Sequence, residues 1–299
     1  MISAEPYLKT QRVAQALGVS VSTIKRWVDS GMIQAARTAG KHRLIPFSEA
    51  LRLAREQGFS EANVMRLSDF GSVETPPAAD SSVSLAHALL RDGKRSEVRK
   101  LIHSIYSAAD AVTLADDVIR PLMERIGHGW MAGALDVFQE HEATEVVSLA
   151  LRDLVDQDGA ERNQGPLAIG ATTESDPYVL PGLLGELVLL DLGWRVRNLG
   201  INLPLRSLAQ AVARYQPRLI FISMSYIDNE ERFIREYRSF HESAASTGAA
   251  VILGGQALGA DLRSRLVFAS FGDRMAHLAE FARRLRPVGD SSVTGDFSL

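Results

Sequence analysis

Three groups of residues in this chain have types and spacings suited to chemistry. The first is Ser22, Thr23, Lys25 and Arg26, followed by Arg37, Lys41, His42 and Arg43. Hydroxyls and lysines satisfy phosphate oxygens, and an arginine can pair bidentately with a guanine edge. The second is Trp130-Met131, then Val137 and Glu140-His141-Glu142, where two carboxylates flank an imidazole in the manner of general acid–base machinery. The third is spread through the C-terminal half: Asp176 and Tyr178, Gly200, Ser223 and Ser225, and Gly254-Gly255-Gln256. A glycine pair lets backbone approach a flat ligand closely, and hydroxyls satisfy its amides or phosphate.

Composition removes several alternatives. The 299 residues include no cysteine, which excludes disulfides, thiolate metal sites, cysteine nucleophiles and thioether-linked chromophores. No P-loop, nucleophile elbow or suitably spaced metal triad is present, so catalysis is not expected and no residue is assigned a catalytic or metal-binding role. The opening residues Met1–Pro6 carry no basic segment followed by an apolar one, and no apolar run approaches the roughly 20 residues a membrane helix needs. A cytoplasmic protein without membrane contact is expected. Residues 1–58 hold nine lysines and arginines against four acids, a net +5, which leaves −8 for the rest of a chain whose total is −3. A basic head on an acidic body suits a phosphate-binding module joined to a sensor.

The elements that must position these groups are legible in the hydrophobic periodicity. Thr10–Leu17 and Val21–Asp29 read as two short helices separated by Gly18-Val19-Ser20, with Ser20 as N-cap and Gly31 as terminator. Arg37–Ile45 reads as a basic hairpin and Glu49–Gln57 as a third helix. Val83 to about Asp156 keeps helical spacing throughout, enough for a bundle of three or four helices. From Pro166 the period changes. Apolar strands at Leu167–Ala171, Arg195–Leu199, Leu219–Ser223 and Ala250–Gly255 alternate with helices at Leu183–Leu192, Pro204–Tyr215 and Phe233–Thr247, the pattern of a doubly wound parallel sheet. The expected organisation is multidomain: a winged helix-turn-helix over 1–67, a linker over 68–84, a four-helix bundle over 85–160, a Rossmann-like α/β domain over 161–288 and a disordered tail over 289–299. Ligands on such sheets bind beyond the carboxyl ends of the strands.

Gly40-Lys41-His42-Arg43-Leu44 after the two helices resembles the wing of MerR-type regulators and of excisionase-like DNA-binding domains. The resemblance implies binding to a double-stranded DNA operator, with Lys41, His42 and Arg43 on phosphates and the minor groove. Trp130, separated by nine residues from Glu140-His141, resembles the signature of light-sensing CarH-type repressors. In that family the helical bundle caps the upper face of adenosylcobalamin. Leu199-Gly200 with Pro204, Ser223-Met224-Ser225 and Leu253-Gly254-Gly255-Gln256 resemble cobalamin-binding domains in order and spacing; there the serines and paired glycines line a slot for the nucleotide tail. A homo-oligomer, dimer or tetramer, is implied as well.

The departures from that family are specific. Its Asp-x-His-x-x-Gly segment stands here as Asp176-Pro177-Tyr178-Val179-Leu180-Pro181, so Tyr178 occupies the position of the cobalt-binding histidine. Met131 takes the place of a second histidine directly after the tryptophan. A phenol is a weak ligand near neutral pH, its pKa being about 10, and a thioether suits softer metals. Three readings follow: cobalamin held without a protein ligand to cobalt, a non-covalent biliverdin-type bilin, or a ligand-independent dimeric repressor with a vestigial site. Haem, with His128, His141 or Tyr178 as axial ligand, is a fourth. A repressor that senses a tetrapyrrole, light-responsive if it follows the family, is the expectation. A cobalamin-dependent mutase or methyltransferase subunit is the enzyme-class alternative.

Overall fold

The computed structural model describes residues 7–37, 43–59, 63, 79–159 and 165–285. Strand β1 (Tyr7–Lys9) leads into α1 (Thr10–Leu17) and α2 (Val21–Asp29); β2 (Ala36–Arg37) and β3 (Arg43–Pro46) precede α3 (Phe47–Glu56). Helix α1 buries Val13, Ala14, Ala16 and Leu17, the face its sequence spacing marks as apolar. Ser20 caps α2 by accepting from the Thr23 amide at 3.1 Å. The small antiparallel sheet has the order β1-β3-β2, with Ala36 opposite Leu44 and Arg37 opposite Arg43. The hairpin of a wing is thus formed, while residues 38–42 at its tip lie outside the described residues.

The bundle comprises α4 (Ala79–Arg91), α5 (Arg95–Ala108), α6 (Ala111–Thr113), a π-helical segment (Leu114–Ile119), α7 (Arg120–Met131) and α8 (Val137–Gly159). Helix α4 begins at Ala79, inside the stretch read as linker, because Ser82 and Val83 are already buried. Residues 68–78 and the expected tail from 289 lie outside the described residues.

The C-terminal domain is β4 (Leu167–Thr172), α9 (Leu180–Asp191), β5 (Arg195–Asn198), α10 (Leu205–Tyr215), β6 (Leu219–Ser223), α11 (Glu230–Ser246), β7 (Ala250–Gly254), α12 (Ala260–Arg265), β8 (Ser270–Gly272) and α13 (Met275–Leu285). All strand pairs are parallel and the order is β5-β4-β6-β7-β8. The chain winds from β4 outward to β5, then crosses back to β6, so the direction reverses between β4 and β6. That reversal opens a crevice at the carboxyl ends, where Thr172 and Ser223 stand in register. Strand β8 and helices α12 and α13 lie beyond the expected pattern. Three-residue β8 carries no apolar run, and its partner strand β7 supplies the order that the local sequence lacks.

Helix α9 explains how bundle and sheet become one body. Eight of its twelve residues are buried, among them Leu183, Leu184, Leu187, Val188, Leu189 and Leu190. An amphipathic helix has one apolar stripe; this one is apolar all round because it is covered on two sides. Leu183, Leu184, Leu187 and Val188 join the bundle core with Leu122, Val146 and Leu151. Leu189 turns to the sheet with Ala168, Phe221 and Ile252.

A polar contact fixes the same joint. Asp116, in the π-helical segment and almost fully buried, accepts from the backbone amides of Met275 and Ala276 at 2.9 Å each. A bundle carboxylate therefore caps the first turn of α13, where unpaired amides and the helix dipole favour negative charge. Asp116→Ala is expected to lower unfolding stability by about 1–3 kcal/mol through loss of this cap. The neighbouring exposed Asp117→Ala is expected to change it by less than about 0.5 kcal/mol. Urea denaturation of the two variants side by side checks the difference.

Candidate ligand cleft and nucleic-acid interface

In the N-terminal domain, Ser22, Lys25 and Arg26 are exposed along α2 and Thr23 is half-buried. The Ser20 hydroxyl lies 2.7 Å from that of Ser22 and 2.8 Å from that of Thr23, so both hydroxyls belong to the capped turn that starts the helix. The opposite side of the domain meets the bundle: Arg12 on α1 donates to Ser107 on α5 at 2.5 Å, and Gln11 donates to the Gln157 carbonyl on α8 at 3.2 Å. The face of α2 that carries the cations remains open. Arg43 has a partner within the domain. Its guanidinium donates to Asp29 at 2.6 Å and ties the wing strand to the end of α2. Arg37 sits in β2 opposite Arg43; Lys41 and His42 lie outside the described residues.

The second site is a cleft of about 1180 Å³ between the bundle and the carboxyl edge of the sheet. On the bundle side, α7 ends at Met131 and α8 starts at Val137. The turn between them is held by a reciprocal cap: the Asp136 amide donates to the Gln139 side chain at 2.9 Å, and Asp136 accepts from the Phe138 amide at 3.4 Å. This brings Trp130 and Met131 from one helix, and Val137, Glu140 and His141 from the next, onto the cleft. Glu140 accepts from Thr144 at 3.1 Å and lies 3.6 Å from the exposed His141 ring.

On the sheet side the cleft is lined by Tyr178, Ser223, Ser225, Gly254, Gly255 and Gln256. Eleven sequence-selected residues from five segments thus converge on one cavity. Glu142, Gly200 and Asp176 do not border it. Gly200, at φ +84°, holds the turn after β5, its carbonyl accepting from the Thr172 amide at 3.0 Å. Asp176 is fully buried behind the cleft. Its carboxylate accepts from the backbone amides of Tyr178 at 3.0 Å, Ser225 at 2.6 Å and Tyr226 at 3.4 Å. One side chain therefore holds together the two loops that leave β4 and β6, on either side of the topological reversal. Asp176 shapes the site by fixing its neighbours.

The glycine pair also has a nearer reason than ligand approach. A Cβ on Gly255 would stand 2.3 Å from the Met224 carbonyl, with φ at +105°; one on Gly254 would stand 2.8 Å from the Gly272 carbonyl. Backbone-to-backbone packing along the carboxyl edge requires both. Residues outside the sequence selection complete the cleft. Asp116, Arg120 and Met123 come from the π segment and α7, and Arg274 and Met275 from the start of α13. The only early signal for this set was the helical spacing around Met123, because α13 was not foreseen.

The cleft fits a flat macrocycle with polar edges. Its volume is large, and its lining combines apolar Leu184, Phe221, Ile252 and Leu278 with polar Ser223, Ser225, Gln256 and Glu140. The imidazoles on it, His128 and His141, are both on the bundle side; position 178 on the sheet side presents a half-exposed phenol.

Residues 7–58 match the helix-turn-helix domain family and residues 84–154 match the B12 binding domain family. The chain is similar to CarA and CarH. It is 24% identical over 283 residues to the HTH-type transcriptional repressor CarA of Myxococcus xanthus, covering 91% of this chain and 94% of that protein. To the HTH-type transcriptional repressor CarH of the same organism it is 24% identical over 241 residues, covering 74% of this chain and 79% of that one. Among solved structures it resembles the Methanosarcina barkeri monomethylamine corrinoid protein at a TM-score of 0.57 and 14% identity, covering 70% of this chain and all of the other. This last likeness is one of fold. The CarA/CarH-like arrangement of helix-turn-helix, bundle and parallel sheet therefore runs through the chain in the expected order.

Replacement of Asp176 by Ala leaves three part-buried amides without this acceptor. At roughly 1.5–3 kcal/mol for a hydrogen bond to a charged group, and with partial relaxation, a loss of about 2–4 kcal/mol is expected. Amide hydrogen exchange should show Ser225 and Tyr226 losing protection before the strands do.

Proposed function

We propose that this chain is a DNA-binding transcriptional repressor, not an enzyme, whose C-terminal module senses a corrinoid held between bundle and sheet. The observation that carries the reading is the convergence of Trp130, Glu140 and His141 from the bundle with Tyr178, Ser223 and Gly255 from the sheet on one cleft, in a chain whose α2 leaves Lys25 and Arg26 exposed. The B12 binding family match favours a corrinoid over the bilin and haem readings. An enzyme subunit would have no use for an open recognition helix, and here the bundle packs against α1 instead.

On DNA, α2 enters the major groove and the wing lies on the flanking backbone. Paired heads in a dimer or tetramer would meet paired half-sites. A corrinoid bound in the cleft would supply a cobalt centre open to ligand exchange. The residues that would hold it are Trp130 from the bundle and Ser223 and Ser225 from the carboxyl edge of the sheet. Tyr178 supplies no imidazole from below.

Arg26→Ala is expected to reduce discrimination between a selected operator and random DNA by about 1–3 kcal/mol. Lys41→Ala should weaken binding to both equally and lower the salt dependence. Fluorescence anisotropy across a salt series separates the two effects. An N-terminal domain without salt-dependent DNA binding would overturn the first half of the proposal.

Hydroxocobalamin bound to the full chain should show no histidine ligation from position 178 in its visible spectrum. Tyr178→His should introduce it and tighten binding, and an unchanged spectrum of the corrinoid bound to a folded Tyr178→His variant would contradict the placement of Tyr178.

A further inference from the structure

The cleft does not stop at the strand ends. Phe221 lines it although it lies two residues before Ser223 on β6, roughly 7 Å farther into the sheet. The cavity thus reaches back between the sheet and α9, where Phe221 lines it together with Gly185, Ile252 and Leu278. The seat of the Phe221 ring is unusual in its construction. A Cβ on Gly170, the neighbour of Phe221 on β4, would stand 1.9 Å from the ring tip; one on Gly185, in the middle of α9, would stand 2.8 Å from its edge. A glycine inside a strand and another inside a helix both weaken their elements. Here the two absences of a side chain make room for one aromatic ring, and Leu278 on α13 and Ile252 on β7 close in beside it. The ring is held from several sides, so it cannot swing clear to admit a ligand.

We propose that Phe221 is a specificity residue that closes the inner end of the cleft, so that the site takes a corrin ring while any pendant aromatic base remains outside the protein. The inference rests on the corrinoid reading given above and refines it. Corrinoids come with and without such a base: cobalamin carries a benzimidazole nucleotide on a flexible arm, and cobinamide lacks it. A site that buries the base must prefer cobalamin, whereas a site closed by Phe221 has no means to distinguish them.

The test uses the full chain and two titrations followed by visible absorption. The unaltered protein should bind hydroxocobalamin and cobinamide with dissociation constants within about threefold of each other. Phe221→Ala should open a ring-sized extension of the cleft and tighten hydroxocobalamin binding by about tenfold or more, with cobinamide changed by less than about threefold. Phe221→Leu, which preserves more of the packing, should move in the same direction by less, and it stands in if the alanine variant does not fold. A separate arm titrates free benzimidazole, detected by nuclear magnetic resonance: the opened variant should bind it and the unaltered protein should not. A marked preference of the unaltered protein for hydroxocobalamin overturns the proposal. So does a folded variant that gains neither hydroxocobalamin affinity nor benzimidazole binding. If no form binds either corrinoid, the corrinoid reading fails, and the benzimidazole arm alone decides whether Phe221 closes the cleft.

Discussion

The joint between the bundle and the parallel sheet is the constraint on which the site depends, and α9 makes it. A helix with leucines on every side cannot lie on a protein surface without exposing one of its faces. Covering it on two sides forces the bundle down onto the sheet, and the space left where their surfaces diverge is the cleft. Buried leucines resist displacement because each substitution to alanine in such a position costs about 2–5 kcal/mol. Non-directional burial of this kind sets proximity but not register. Register comes from Asp116, whose two hydrogen bonds to the start of α13 are geometrically exacting.

The same division between apolar burial and buried carboxylates recurs within the α/β domain. Apolar strands place β4 and β6 side by side, and the reversal of winding between them opens the crevice. Asp176 then holds the two emerging loops at a fixed distance through three amides. An uncharged acceptor in that position would bind those donors less strongly. Both carboxylates act on backbone, and neither needs to touch a ligand to determine what the cleft admits. That is a different role from the ligand contact that the Asp-x-His-x-x-Gly resemblance assigns to the segment around Asp176.

The N-terminal domain shows how one small module serves two surfaces. Contact with the bundle is made through Gln11 and Arg12 on α1, while Lys25 and Arg26 on α2 are exposed. The cleft and the N-terminal domain are physically connected, because α8 meets that domain at Gln157 and packs on α9, which lies on the sheet. Arg43, a basic residue in a basic hairpin, reads as a phosphate contact, and it also bonds an aspartate at the end of α2 at 2.6 Å, a tie that no local pattern announces.

By itself the sequence determined most of the elements, because hydrophobic period is a local property. Thr10–Leu17, Val21–Asp29 and Leu219–Ser223 have the limits that their spacing, caps and glycines dictate, and the change from helical period to apolar runs near Pro166 marks the start of the sheet domain. It also determined which residue types could meet a flat polar ligand, since Trp130, Glu140, Ser223 and Gly255 stand out by chemistry alone. Tertiary structure decided the rest. Strand β8 and helix α13 have weak local signals and are fixed by the edge of β7 and by Asp116. Gly200 and Asp176 support the site from outside it, because hydrogen-bond partners as many as fifty residues away cannot be read from spacing. Phe221 reads as one more apolar residue in a buried strand. Only the approach of Gly170 and Gly185 from two other elements shows how its ring is seated beside the cleft, since a contact among three distant segments has no signature in any one of them.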